Sequence, residues 1–167
     1  MDNILKEYRY KKALEYFEVT ANQDHDLYSK AIAQFNLGLV CLHGRGIDVN
    51  YDKAKQYFEL SLQQNNSAKA KHLSELFLSI MYCFGKGVEI NYQQTKDYLK
   101  QAKIYFEDKA NNQTKKEIAA KVDDYESILT CMDDILKEKR YGDIPFVIDQ
   151  LLAMIENNEI KRGNKNQ

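Results

Sequence analysis

One turn occurs twice in this chain, and it limits the fold more than any other feature. It reads His43-Gly44-Arg45-Gly46-Ile47 and again Phe84-Gly85-Lys86-Gly87-Val88. Each copy ends an apolar helical run and leads to an asparagine-tyrosine pair, Asn50-Tyr51 and Asn91-Tyr92, 41 residues apart. The register reaches back to the start of the chain, where Tyr10, Ala13, Tyr16 and Phe17 match Tyr51, Ala54, Tyr57 and Phe58, and then Tyr92, Thr95, Tyr98 and Leu99. Self-similarity at such a period means units that cannot bury their apolar faces alone and must stack on neighbours. In each copy the small middle residue admits another helix, and the aromatic or apolar pair one turn later fills the space beside it.

The runs between these marks have helical spacing. Ile4, Tyr8, Leu14, Phe17 and Ala21 lie on one run, which ends at the polar break 22–26, where Asp24 and Asp26 are candidate N-caps. Tyr28, Ile32, Phe35, Leu39 and Leu42 lie on a second, with Leu37 and Cys41 on an adjacent stripe, so this helix is packed on two sides. Gly44 closes it as the left-handed residue, and Asn50 caps the next helix, expected from Tyr51 to about Gln64. The second unit repeats these features after a break at 65–68, and its trailing helix is expected from Tyr92 to about Lys109. No third glycine turn follows. Thr114 and Glu117 form a capping box, and Ile118, Val122, Tyr125, Leu129, Met132 and Leu136 predict one long amphipathic helix over 114–139. Asp143 is then expected to cap a last helix with Pro145 in its first turn, where proline is tolerated. Residues 161–167 read as a polar, disordered tail. The expected fold is all-α, one helical-repeat domain over 1–160, with repeat helices over about 4–109 and a C-terminal helix pair over about 114–160.

The stretch Ala33, Leu37-Gly38, Cys41, Gly44-x-Gly46-Ile47, Asn50, Ala54 and Tyr57-Phe58 resembles the Sel1-like repeat, a relative of the tetratricopeptide repeat. The second copy keeps Leu78, Tyr82, Gly85, Gly87, Val88 and Tyr98, and departs at Ser74, Ser79 and Thr95. The spacing is longer than is usual in that family. The resemblance covers about residues 8–106 and implies a right-handed α-solenoid of helix-turn-helix repeats. It also implies a protein-interaction role and brings no catalytic residues.

Composition narrows the function classes. A net charge of -1 lacks the basic excess of a nucleic-acid binder. No apolar run approaches the roughly 20 residues that cross a bilayer. The first residues show no secretion signal, and three scattered cysteines suit a reducing compartment, so a cytoplasmic location is expected. His25, His43 and His72 have no metal-ligand spacing and read as solvated. Cys41, Cys83 and Cys131 read as small hydrophobes on helices. Gly44-Arg45-Gly46 and Gly85-Lys86-Gly87 lack the preceding strand and the following Lys-Ser/Thr of a phosphate loop. The acidic pairs Asp123-Asp124 and Asp133-Asp134 fall between apolar positions and read as a solvated face. No cofactor, metal or catalytic group is expected.

The leading-helix face, by tetratricopeptide-like register, should line a concave groove. The partner-binding candidates are Phe35, Leu39, His43 and Arg45 in the first unit, with Leu76, Ile80, Phe84 and Lys86 in the second. A bare apolar groove of this kind marks an interaction site, and the helix over 114–139 is expected to cover or extend it. The expected function is a non-enzymatic module, a monomer or weak homodimer, that binds a protein partner on its concave surface. The alternative is a dedicated inhibitor, an immunity protein neutralising a toxin that acts in the cytoplasm.

Overall fold

The computed structural model describes residues 2–108 and 122–165. Every regular element among them is helical: α1 (Asp2–Ala21), α2 (Leu27–His43), α3 (Tyr51–Gln63), α4 (Ala68–Phe84), α5 (Tyr92–Glu107), α6 (Tyr125–Glu138) and α7 (Ile144–Lys165). A 3₁₀ turn, Tyr141–Asp143, precedes α7. The helices gather into two compact units, Met1–Ile90 and Asn91–Gln167. The all-α helical-repeat architecture is the one the 41-residue register demands.

The helix ends follow from the residues placed there. Asp26 caps α2 by accepting from the Tyr28 and Ser29 amides, both at 3.1 Å. Asn50 and Asn91 cap α3 and α5 identically, each Oδ1 accepting at 2.9 Å from the amide three residues on, Lys53 and Gln94. Gly44 and Gly85 close α2 and α4 at φ 66° each, and their amides donate to Val40 and Met81 carbonyls. Equivalent residues thus have equivalent backbones.

In the first unit, α2 packs on α1 and on α3, and α3 packs on α4. Three phenylalanine rings form its centre. Phe35 lies 5.8 Å from Phe58 and from Phe77, and Phe58 stacks on Phe77 at 5.5 Å. A second cluster joins Ala21 of α1 to Ala33 and Leu37 of α2, with Leu14, Phe17 and Tyr57 against it. The contact between α2 and α3 is close enough for a buried bond between helices, in which Ser61 Oγ donates to the Ala31 carbonyl at 2.9 Å. In the second unit, α7 packs on α5 and on α6. Lys96 of α5 pairs with Glu159 at 2.8 Å, and Lys103 with Asp149 at 2.7 Å. Because partners rise along α5 as they fall along α7, the two helices are antiparallel.

Three sequence expectations change here. The long helix over 114–139 is shorter: α6 begins at Tyr125, since residues 122–124 are not helical. Asp124 is extended (φ −142°, ψ 176°) and closes a capping box with Ser127, whose amide donates to it at 2.7 Å. The Thr114–Glu117 capping box and Ile118 lie outside the described residues. Residues 161–165, expected within the disordered tail, are helical, because α7 runs on to Lys165. Asp143, expected to cap the last helix, lies in the 3₁₀ turn ahead of α7 and is buried, its carboxylate accepting from Arg140 Nη1 at 2.8 Å.

Candidate functional site

The two glycine turns are seats for the register tyrosine of the preceding trailing helix, Tyr10 within α1 and Tyr51 at the start of α3. A Cβ on Gly46 would lie 2.8 Å from Tyr10 Cβ, and one on Gly87 would lie 2.5 Å from Tyr51 Cβ. Both glycines also have positive φ, 76° and 69°. Glycine is therefore required twice over, by backbone conformation and by close approach. Beside the second turn, Lys86 Nζ sits 5.9 Å above the Tyr51 ring. Tyr10 carries Lys6 at 6.0 Å, and Tyr92 carries Arg162 of α7 at 4.9 Å. So each of the three register tyrosines has a cation over its ring, worth about 0.5–1 kcal/mol at an exposed position. No third glycine turn reaches Tyr92. Antiparallel α7 lies on α5 as α2 lies on α1 and α4 on α3, and its Arg162 covers the tyrosine.

The eight partner-binding candidates separate by burial. Phe35, Leu39, Leu76 and Ile80 are buried within the chain itself, Phe35 inside the phenylalanine cluster. His43, Arg45, Phe84 and Lys86 are half-buried, at matching positions of the two turns. The apolar leading-helix face is therefore core, and the accessible members of the set lie at the turn edge.

The remaining candidates resolve by their surroundings. His25 is exposed. His72 is not solvated as expected: its Nδ1 lies 2.6 Å from the Glu75 carboxylate, and both side chains are largely buried. Glu75 occupies the register position of Gln34, also buried, so both leading helices hold a polar side chain inside at this position. Cys41 and Cys83 are buried and Cys131 half-buried. Burial pushes all three thiols up, that of Cys83 to about 11, so they stay protonated at neutral pH. Among the described residues no group of three or more His, Cys, Asp or Glu could hold a metal ion. Asp123, Asp124 and Asp134 are exposed and Asp133 half-buried. Asp124 works as a cap, and the Ser127 amide and hydroxyl hold its carboxyl below the usual range. No described helix is long and apolar enough to cross a membrane.

Sequence reasoning missed the cations over the tyrosines, because Arg162 belongs to a helix far outside the repeat register. It also missed the bond between Ser61 and Ala31. A hydroxyl at Ser61 and Thr20, 41 residues apart, was its only trace.

Helix pairs that recur at fixed spacing, with each glycine turn seated on the previous unit, define a helical-repeat protein. Among known families the Sel1 repeat matches residues 9–25, 31–66 and 72–103, just over half of the chain. The chain belongs to the Sel1 repeat family. The first match holds a trailing helix alone, and α6 and α7 lie outside the matches. No curated protein and no solved structure matches the chain. Sel1 repeats are generally protein–protein interaction modules, and the family is typically non-catalytic.

Proposed function

We propose that this chain is a non-enzymatic module that holds a partner polypeptide on its helical-repeat surface, along the edge formed by the two glycine turns. The observation that carries this reading is the matched pair Arg45 and Lys86. They take the same place in two turns built alike, so the edge presents a cation once per repeat, flanked by half-buried His43 and Phe84. A regularly spaced row of this kind suits an extended acidic segment of a partner. The leading-helix residues Phe35, Leu39, Leu76 and Ile80 support that edge from the core instead of touching the partner.

The test compares wild-type chain with Arg45→Glu/Lys86→Glu. A partner captured from the source lysate is purified and titrated into both proteins by calorimetry. One-to-one binding, weakened at least about tenfold in the charge-reversed protein with its melting temperature unchanged, supports the reading. Equal binding to both proteins, or no retained polypeptide, refutes it.

A further inference from the structure

We propose that the cleft between the start of α5 and the last turns of α7 is a binding subsite for a phosphate group. It belongs wholly to the second unit and shares no residue with the glycine-turn edge.

The cleft has a volume of about 260 Å³ and is lined by Tyr92 of α5 and by Asn158, Lys161 and Arg162 of α7. Lys161 and Arg162 are exposed, while Tyr92 and Asn158 are half-buried. Neither cation pairs with a carboxylate among the described residues. The acids around them are engaged elsewhere. Glu159 of α7 holds Lys96 at 2.8 Å, and Asp97 of α5 accepts from the Gln93 side-chain amide at 3.1 Å. The first turn of α5 adds no acid: the register position of Asp52 in α3 is Gln93 in α5. Two positive charges therefore border the cleft without a counter-charge from the helices that form it.

One of the two is already oriented. Arg162 lies over the Tyr92 ring at 4.9 Å. A guanidinium laid on a ring uses its face and keeps its in-plane N–H groups, which match the oxygens of an oxyanion in pairs. Lys6 and Lys86, over Tyr10 and Tyr51, are point charges without that fork. Lys161 supplies a second charge, and Asn158 a side-chain amide that can donate. A phosphate monoester answers all of these together, with about −1.5 to −2 charges at neutral pH and three acceptor oxygens. A carboxylate brings one charge and two oxygens. The volume is below the roughly 300–1,000 Å³ of pockets that enclose drug-sized ligands, so the cleft suits a group and not a whole molecule.

The full chain, isotope-labelled, is titrated with inorganic phosphate against sodium chloride of equal ionic strength and followed by NMR. Saturable shifts are expected at the Asn158 side-chain amide and the Arg162 Nε–H group, with a Kd of about 1–10 mM. Acetate should bind about tenfold more weakly. Lys161→Gln/Arg162→Gln should weaken phosphate binding about tenfold or more and leave the circular dichroism spectrum that of wild type, since both side chains are exposed. Arg45→Glu/Lys86→Glu should bind phosphate like wild type, so the two sites fail or succeed separately. A glycine-serine peptide with one phosphoserine separates the sources of the group. Tighter binding than inorganic phosphate assigns the cleft to a phosphorylated polypeptide, and equal or weaker binding assigns it to the free ion. Shifts that follow ionic strength alone, acetate bound as well as phosphate, or phosphate binding indifferent to Lys161→Gln/Arg162→Gln overturns the proposal.

Discussion

Replacing Gly87 by alanine should cost clearly more than the same change at Gly85, although both sit in one turn with positive φ. At Gly85 (φ 66°) the added Cβ meets Ile90 Cγ1 at 3.0 Å, a side-chain atom on an exposed residue that can shift. The cost there is mainly the left-handed backbone, about 1–2 kcal/mol. At Gly87 (φ 69°) the Cβ meets Tyr51 Cβ at 2.5 Å, with Tyr51 C and Cα at 3.2 and 3.4 Å. These atoms belong to the first turn of α3 and cannot swing aside. Overpacking of about 1–3 kcal/mol is therefore added to the same backbone cost. Urea unfolding followed by circular dichroism reads the difference. With an m-value of about 2–3 kcal/mol/M, the Gly87→Ala midpoint should fall below that of Gly85→Ala by about 0.5–1 M. Coincident midpoints for the two variants would refute the claim that the turn is seated on the preceding tyrosine.

Other consequences are as direct. Phe58→Ala removes a fully buried ring from the phenylalanine cluster and should cost about 3–5 kcal/mol, whereas Phe17→Ala, at the half-buried register position, should cost clearly less in the same denaturation assay. Native Cys83 should resist thiol reagents near neutral pH until the chain is unfolded. Since burial raises its folded pKa above the unfolded value, its contribution is complete below about pH 8.5 and is lost as pH rises toward about 11; Cys83→Ala should flatten that alkaline limb of the melting temperature. Asp26 behaves oppositely. Bonds from the Ser29 hydroxyl and amide lower its folded pKa, so its contribution is present above the unfolded value of about 3.9 and is lost as pH falls through the lower folded value. Asp26→Asn keeps an acceptor and does not titrate, so melting temperatures below about pH 4 should depend less on pH.

The elements closest to the repeat were the easiest to read from sequence. Asn50, Asn91, Gly44 and Gly85 end helices by local hydrogen bonding and backbone preference, and both act within a few residues. The start of α6 was misplaced because apolar spacing through Val122, Tyr125 and Leu129 looks the same across a break as along one helix. The Asp124-x-x-Ser127 box, which ends that ambiguity, is a local signal that periodicity outvoted. The groove residues fared differently. Phe35, Leu39, Leu76 and Ile80 do recur at helical spacing, but spacing cannot tell a face that lines a groove from one pressed against neighbours. The contact of Phe35 with both Phe58 and Phe77 joins residues of three helices, and no pairwise pattern in the chain encodes that. The His72–Glu75 pair was hidden for a simpler reason: a histidine near a helix start reads as solvated until the helices beside it are known.

The central claim is that the 41-residue register places equivalent side chains in equivalent surroundings, with each glycine turn resting on the tyrosine one unit earlier. A nuclear Overhauser experiment on isotope-labelled chain tests it directly. The account predicts two matching cross-peaks, Gly46 Hα to Tyr10 Hβ and Gly87 Hα to Tyr51 Hβ. Finding one without the other, or neither, in the folded protein would contradict it.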